Sequence, residues 1–279
     1  GATMKFTTGL NPTGNSTLFG QSVGTVTTAN GPGGSQESLL SFDAEALHLF
    51  ADGSGFVSDE YGTYIARFNS SKQITGITQL PASARPHRPA GALNFDSVNP
   101  PTTGRRNNQG LEGMSVSPDN TRLFALMQSA LVQDTGAGGQ GRYNTRLYVY
   151  DIAGAKVENP VLMGEYAVQL PRYDLNGNGS ALDTTAAQSE VIALSNTQLL
   201  TLPRDGNGLG KGDTNPPVVK TVDLVDFSAA TNILGLYDAE GAQISPGAAL
   251  HGSIVPATST VVVNLLSTAD LAKFGFNQN

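Results

Sequence analysis

The sequence predicts an all-β fold of propeller-like type, and three observations carry that expectation. Apolar runs recur along the whole chain, short and bounded by Gly, Pro, Asn or Asp, which is how strands between turns read. Each run is too short or too β-branched for a long amphipathic helix. Three segments that open on a glutamate repeat one hairpin pattern.

In chain order the strand runs are "GFVSDEYGTYIARF" (55–68), "TRLFALMQSAL" (121–131), "TRLYVYDIAG" (145–154), "EVIALSNTQLLTLPRD" (190–205), "VVKTVDLVDF" (218–227) and "STVVVNLL" (259–266). At the end, Ser267 is placed to cap a short helix over "STADLAKF", with Asp270 three residues on. The repeat starts at Glu45, Glu112 and Glu190. Each glutamate leads an apolar run, a turn (Asp52-Gly53, Asp119-Asn120, Asn196-Thr197), a second strand and a polar cluster. Those clusters begin at Asp59, Gln128 and Arg204, which are 14, 16 and 14 residues after their glutamates.

Repeating hairpins with polar strand ends suit a β-propeller, whose blades stack radially and gather loops at one end of a channel. The glutamates lie 67 and 78 residues apart, more than one blade of ~40–45 residues. Each interval therefore holds a blade with long insertions, or more than one blade. Residues 81–110, "PASARPHRPAGALNFDSVNPPTTGRRNNQG", are expected to form an ordered loop insertion, since a loop of this length in a compact domain is uncommon unless functional. Residues 1–279 read as a single domain, incomplete at both ends.

Composition narrows the function. A net charge of −7 and a pI near 4.9, with no Lys/Arg run, argue against a nucleic-acid surface. No apolar run approaches ~18 residues, so no membrane span is expected. The absence of Cys excludes disulfides and thiolate metal sites. The first ten residues do not read as a signal peptide. Sequons at Asn15, Asn69 and Asn178 are candidate glycosylation sites and favour secretion.

The string "GFVSDEYGTYIARF", followed by "GRRNNQGLEGMSVSPDNTRLFALMQSAL", "YDIAG", "LLTLPRDGNG" and "KTVDLVDFSAATNI", resembles the phytase-like family labelled "esterase-like activity of phytase". The insertions resemble its secreted fungal branch, and the likeness runs from about Ser41 to the C-terminus. The resemblance implies a β-propeller, an extracellular or cell-envelope location, and an enzymatic label with a loosely defined substrate. Family members extend beyond both ends of such a segment. A propeller left incomplete would expose strand edges and apolar faces, so a second chain supplying the closing strands is an expected partner.

The acidic group is the first candidate for chemistry. Glu45, Glu112 and Glu190 should occupy equivalent places near a channel, with Asp59 and Glu60 close by. Converging carboxylates repel unless a hard cation binds them, and an all-oxygen donor set suits Ca2+ better than zinc. The alternative is that each glutamate closes its blade by bonding to backbone N–H groups or to Arg67 and Arg204. Of Asp59 and Glu60, Asp59 is expected to end its strand in the channel while Glu60 turns away to an arginine.

A hydrolase acting on phosphate or carboxylic esters would use Asp59, Glu60, Arg67, Glu112 and Arg204, the carboxylates holding the ion and an arginine stabilising the developing oxyanion. Arg105, Arg106 and Lys211 are further cations suited to phosphate. A non-catalytic extracellular binding or structural module is the competing expectation. The remaining motifs read as turns or coincidences. "GQSVG" around Ser22 lacks the helix of a nucleophile elbow, "DLNGNG" from Asp174 lacks the bidentate glutamate of an EF-hand, and His48 reads as a packed residue.

Overall fold

The structure, a computed structural model, describes residues 5–29, 35–137, 141–174, 182, 184–207 and 216–276. Four four-stranded sheets follow one another along the chain. The first contains β1 (Phe6–Thr8), β2 (Gly14–Leu18), β3 (Gln21–Thr28) and β4 (Glu37–Phe42), in the spatial order β1-β4-β3-β2 with β1 parallel to β4. The second is the meander β5 (Ala44–Leu49), β6 (Gly55–Asp59), β7 (Tyr64–Phe68) and β8 (Ile74–Gln79). The third is the meander β9 (Leu111–Val116), β10 (Arg122–Met127), β11 (Asn144–Asp151) and β12 (Val161–Gln169). A short pair, β13 (Arg172–Tyr173) and β14 (Thr184–Thr185), precedes the fourth meander, β15 (Ala187–Ala193), β16 (Gln198–Arg204), β17 (Thr221–Asp226) and β18 (Thr258–Asn264). A five-residue helix, α1 (Thr268–Ala272), closes the described chain, with the Ser267 hydroxyl accepting from the Asp270 N–H as its cap.

The three meanders are blades, and their first strands are neighbours, with β9 between β5 and β15. Side chains stitch these strands together. The Ser58 hydroxyl accepts from Ala46 N–H (3.0 Å) and donates to the Leu111 carbonyl (3.1 Å). Ser115 accepts from Ala193 N–H (3.0 Å), and Gln188 donates to the Leu126 carbonyl (3.0 Å). Gly113 permits the approach of β15, because a Cβ there would lie 2.6 Å from Val191.

The third sheet is buried on both faces, which is why "TRLFALM" reads as an unbroken apolar run. Leu123, Ala125 and Met127 pack with Ala46, Phe56 and Ile65 of the second sheet. Phe124 and Leu126, pointing the other way, pack with Val191, Leu199 and Val225 of the fourth. The Phe124 ring meets Phe227 edge-on at 5.9 Å. The fourth sheet turns Val191 and Ala193 inward, whereas the intervening Ile192 and the next Leu194 are 55% and 47% exposed. No sheet covers that face among the described residues, and no closed ring forms. The architecture is an incomplete, propeller-like all-β fold, as the sequence predicts.

Residues 81–110 run over the blade ends with a single 3-10 turn, Pro89–Gly91, and isolated bridges at His87 and Arg106. Arg105, expected to face phosphate, is instead fully buried. Its guanidinium donates to the carbonyls of Tyr61 (2.5 Å), Phe95 (3.2 Å), Asp96 (3.3 Å) and Arg106 (3.3 Å), tying the insertion to the second sheet. A second insertion, 228–257, separates β17 from β18 and packs Ile233, Ile244 and Ile254 against Ala167 of β12. It is pinned by Arg146, whose guanidinium bonds both Asp134 oxygens (2.8 and 3.1 Å), Glu165 (2.9 Å) and the carbonyls of Tyr237 (3.1 Å) and Ala242 (2.9 Å).

Candidate functional site

Glu45, Glu112 and Glu190 all sit on the first strands of their blades, and each lies in a β-bulge. Ala44 pairs with Asp59 and Leu47 with Val57, leaving one residue extra around Glu45. Leu111 pairs with Met127 and Gly113 with Leu126, so Glu112 has no partner across the ladder. Gln188 pairs with Pro203 and Val191 with Thr201, giving Glu190 the same setting. A bulge inserts a residue that is free to re-aim its side chain. Here it recurs at one level of three adjacent strands, and the electrostatic coupling of Glu112 with both Glu45 and Glu190 follows from that.

Asp43 and Glu60 complete the cluster. One carboxylate oxygen each from Asp43, Glu45 and Glu60 lies within 4.8 Å of the other two. Glu60 is nearly inaccessible, its N–H donates to the Asp43 carbonyl (3.0 Å), and its carboxyl shares a hydrogen bond with that of Asp43. Burial, followed by the charges of Glu112 and Glu45, raises its pKa to about 8. Glu45 lies at the exposed side of the group, and partial desolvation with the charges of Glu112 and Asp43 raises it to about 7. Glu112 is also raised, chiefly by burial, against the opposing influence of a hydrogen bond from Gln128 and the charge of Arg204. Gly110 permits this crowding, since a Cβ there would lie 2.1 Å from the Glu60 carbonyl oxygen.

Asp59 and Glu60 are oriented the opposite way from the sequence expectation. Asp59 is fully buried and accepts from the N–H groups of Asp43 (2.8 Å) and Gly62 (2.5 Å). It holds the turn that follows β6, and burial still raises its carboxyl to about 7. Glu60, one residue further and past the strand end, faces the acidic group; among the described residues it forms no ion pair within 4.0 Å, and the buried Arg105 acts on it only through longer-range charge. The reason is local: the turn at 60–63 needs an acceptor for its N–H groups, and Asp59 is the side chain short enough to supply it.

Arg67 does not reach the cluster. It pairs across the sheet with Phe56, at the far end of β6 from Asp59. Its guanidinium stacks on Phe50 and Phe56, bonds the Gly55 carbonyl (3.2 Å) and forms an ion pair with Glu158 (2.8 Å) of the neighbouring blade. Arg204 does reach it, half-exposed, with Nη2 4.0 Å from Glu112 and Nε bonded to Ser189 (2.6 Å). Glu190 lies at the exposed rim and bonds its own Val191 N–H (2.9 Å).

The imidazoles lie apart from this group. His48 packs edge-on against Phe50 (4.9 Å), His87 bonds the Arg85 carbonyl (2.8 Å), and His251 stacks on Tyr237 (5.6 Å). Ser22 lies within β3, with no helix after it. Asn15 is exposed on β2, Asn69 is half-buried in the β7–β8 turn, and Asn178 and Lys211 lie outside the described residues. The residue that sequence reasoning missed is Asp43. Its signal was the alternation in "DAE", which places Asp43 and Glu45 on the same side of an extended chain.

Fold and site together define an incomplete propeller that gathers carboxylates where its first strands meet. The chain belongs to the Phytase-like family, described as "Esterase-like activity of phytase", whose family model matches residues 2–277. An "Uncharacterized secreted protein" of Arthroderma benhamiae is 30% identical over 262 residues, covering 88% of this chain and 50% of that protein. The chain thus spans about half the length of the curated relative it matches.

Proposed function

We propose that this is a secreted phytase-like protein whose Asp43, Glu45, Glu60 and Glu112 carboxylates hold Ca2+ for hydrolysis of phosphate or carboxylic esters. The observation that carries the reading is the approach of three carboxylate oxygens to within 4.8 Å of one another, with Arg204 the nearby cation at 4.0 Å from Glu112. Those are hard oxygen donors at a spacing that suits metal–oxygen distances of about 2.3–2.6 Å. A bound cation supplies Lewis-acid polarisation of an ester oxygen. Among the chain's own groups, Glu60, protonated near neutral pH in the cation-free protein, gives up that proton to become a ligand, and Arg204 is placed to face oxyanion charge. Asp59 and Arg67 support the site by fixing the turn and the blade.

Secretion is supported by the likeness to a secreted relative and by the exposed sequon at Asn15. No helix of the described residues is long and apolar enough to cross a membrane. A second chain covering the open face of the fourth sheet belongs to the same proposal, supported by the exposure of Ile192 and Leu194.

The test is hydrolysis of p-nitrophenyl phosphate and p-nitrophenyl acetate by protein stripped on a chelating resin and then given calcium. Calcium-dependent turnover that Glu60→Gln lowers at least tenfold is the expected result. A second reading, a non-catalytic binding module, is favoured by the pairing of Glu112 with Gln128 and Arg204. Calcium binding without turnover of either ester would establish it.

A further inference from the structure

A separate cavity of about 380 Å³ lies between the 81–110 insertion and the segments that carry Val132 and Arg142. Arg106 and Arg142 both line it, with Asn107 and Gln109, against an apolar wall that includes Pro100 and Val132. Among the described residues neither arginine has a carboxylate within 4.0 Å. Arg142 Nε is buried without a hydrogen-bond partner, as is Asn107 Oδ1. Two guanidinium groups that share a half-buried cavity repel each other and lose solvation, a cost that a bound anion reverses. The pKa of Arg106 is lowered by burial and then by Arg142, in keeping with that repulsion.

The cavity wall is built rather than incidental. Gln109 N–H donates to the Arg106 carbonyl (3.1 Å), closing a tight turn in which Asn108 takes a left-handed conformation at φ +51°. Such conformations in non-glycine residues cost energy and gather at binding sites. Gln109 Oε1 is taken by the Ser129 hydroxyl (2.6 Å), which leaves the Gln109 amide N–H groups as donors. Across the cavity, the Arg142 carbonyl accepts from Ala130 N–H (3.1 Å), fixing its backbone to the chain leaving β10.

We propose that the cavity of Arg106 and Arg142 binds a small oxyanion carrying about two negative charges, a phosphate group or a dicarboxylate. Two planar guanidinium forks supply paired N–H donors that match oxygens of such a ligand. Asn107 Oδ1 accepts a ligand hydroxyl or the remaining acidic proton. The site is distinct from the carboxylate cluster and stands whether or not a cation binds there.

The test uses the whole chain, freed of cations on a chelating resin, so that failure of the calcium reading leaves it intact. Arginine modification by phenylglyoxal is followed by peptide mass spectrometry in inorganic phosphate, malonate, acetate or chloride at one ionic strength. Saturable protection of Arg106 and Arg142, at least fivefold by phosphate or malonate over chloride, is the expected result, and the stronger protector identifies the ligand class. Equal protection by chloride, or none by either dianion, overturns the proposal. As a second arm, isothermal titration of the better dianion is expected to show a Kd on the order of 1 mM or tighter, weakened at least tenfold in Arg106→Gln. Unchanged affinity in that variant would also overturn it.

Discussion

Glu60 shows how one position decides the chemistry of the cluster. Its pKa of about 8 in the folded chain lies above the ordinary 4.5, so between those values the folded state holds a proton that the unfolded state has released. Stability from this group is therefore full at low pH and lost as pH rises through about 8. The buried Asp59 and Glu165, each raised to about 7 with burial as the leading cause, act in the same direction, and the exposed Glu45 adds a smaller, solvent-screened share. Cation-free protein should thus melt at progressively lower temperature from about pH 5 to pH 8. Calcium should restore the loss, and Glu60→Gln should flatten the slope; scanning calorimetry across that range is the check, and a rising melting temperature would contradict it. At this scale the sequence was partly legible. Residue type and repeat spacing picked out Glu45, Glu112 and Glu190, but an adjacent Asp-Glu pair at a strand end carries no sign of which side chain the turn will claim. Arg67 was misplaced because strand direction, which sends it to the far end of the blade, is invisible in a local motif.

At the scale of elements, the repeated bulges and the two insertions matter most. Hairpins, turns and polar strand ends were readable because alternation and turn residues are local signals. The bulges were not, since they arise from pairing with a partner strand. The insertion at 228–257 also left no periodic trace, and what anchors it is a buried ion network centred on Arg146. Asp134 occupies both Nε and Nη2 of that guanidinium and accepts from Ile244 N–H (2.8 Å). Removing one partner of a buried pair leaves an uncompensated charge, which costs about 3–5 kcal/mol. Asp134→Ala should lose that much in a denaturant titration and speed amide exchange across 228–257 before the blades. A loss under about 1 kcal/mol would mean that the remaining carbonyls and Glu165 suffice.

For the whole molecule, the open face of the fourth sheet sets the behaviour in solution. Ile192 of β15, Leu194 just beyond it, and Val261 and Val262 of β18 are about half-exposed, and β18 is an edge strand among the described residues. Exposed apolar strips beside a free edge favour association. Light scattering after size exclusion should show the average mass rising with protein concentration, and Ile192→Asp should suppress the rise; a concentration-independent monomer would argue that the face is satisfied as it stands. The candidate cation site is a whole-molecule feature as well, because Asp43, Glu45 and Glu60 come from around the second sheet, Glu112 from the third and the rim residue Glu190 from the fourth. Its most direct test is isothermal titration of calcium into resin-stripped protein near neutral pH, run in parallel on Glu60→Gln and Glu112→Gln. The account predicts one saturable site, with proton release, that both substitutions weaken at least tenfold. Absence of heat in the unaltered protein, or equal binding in all three, would contradict it and leave the carboxylates as blade-closing groups.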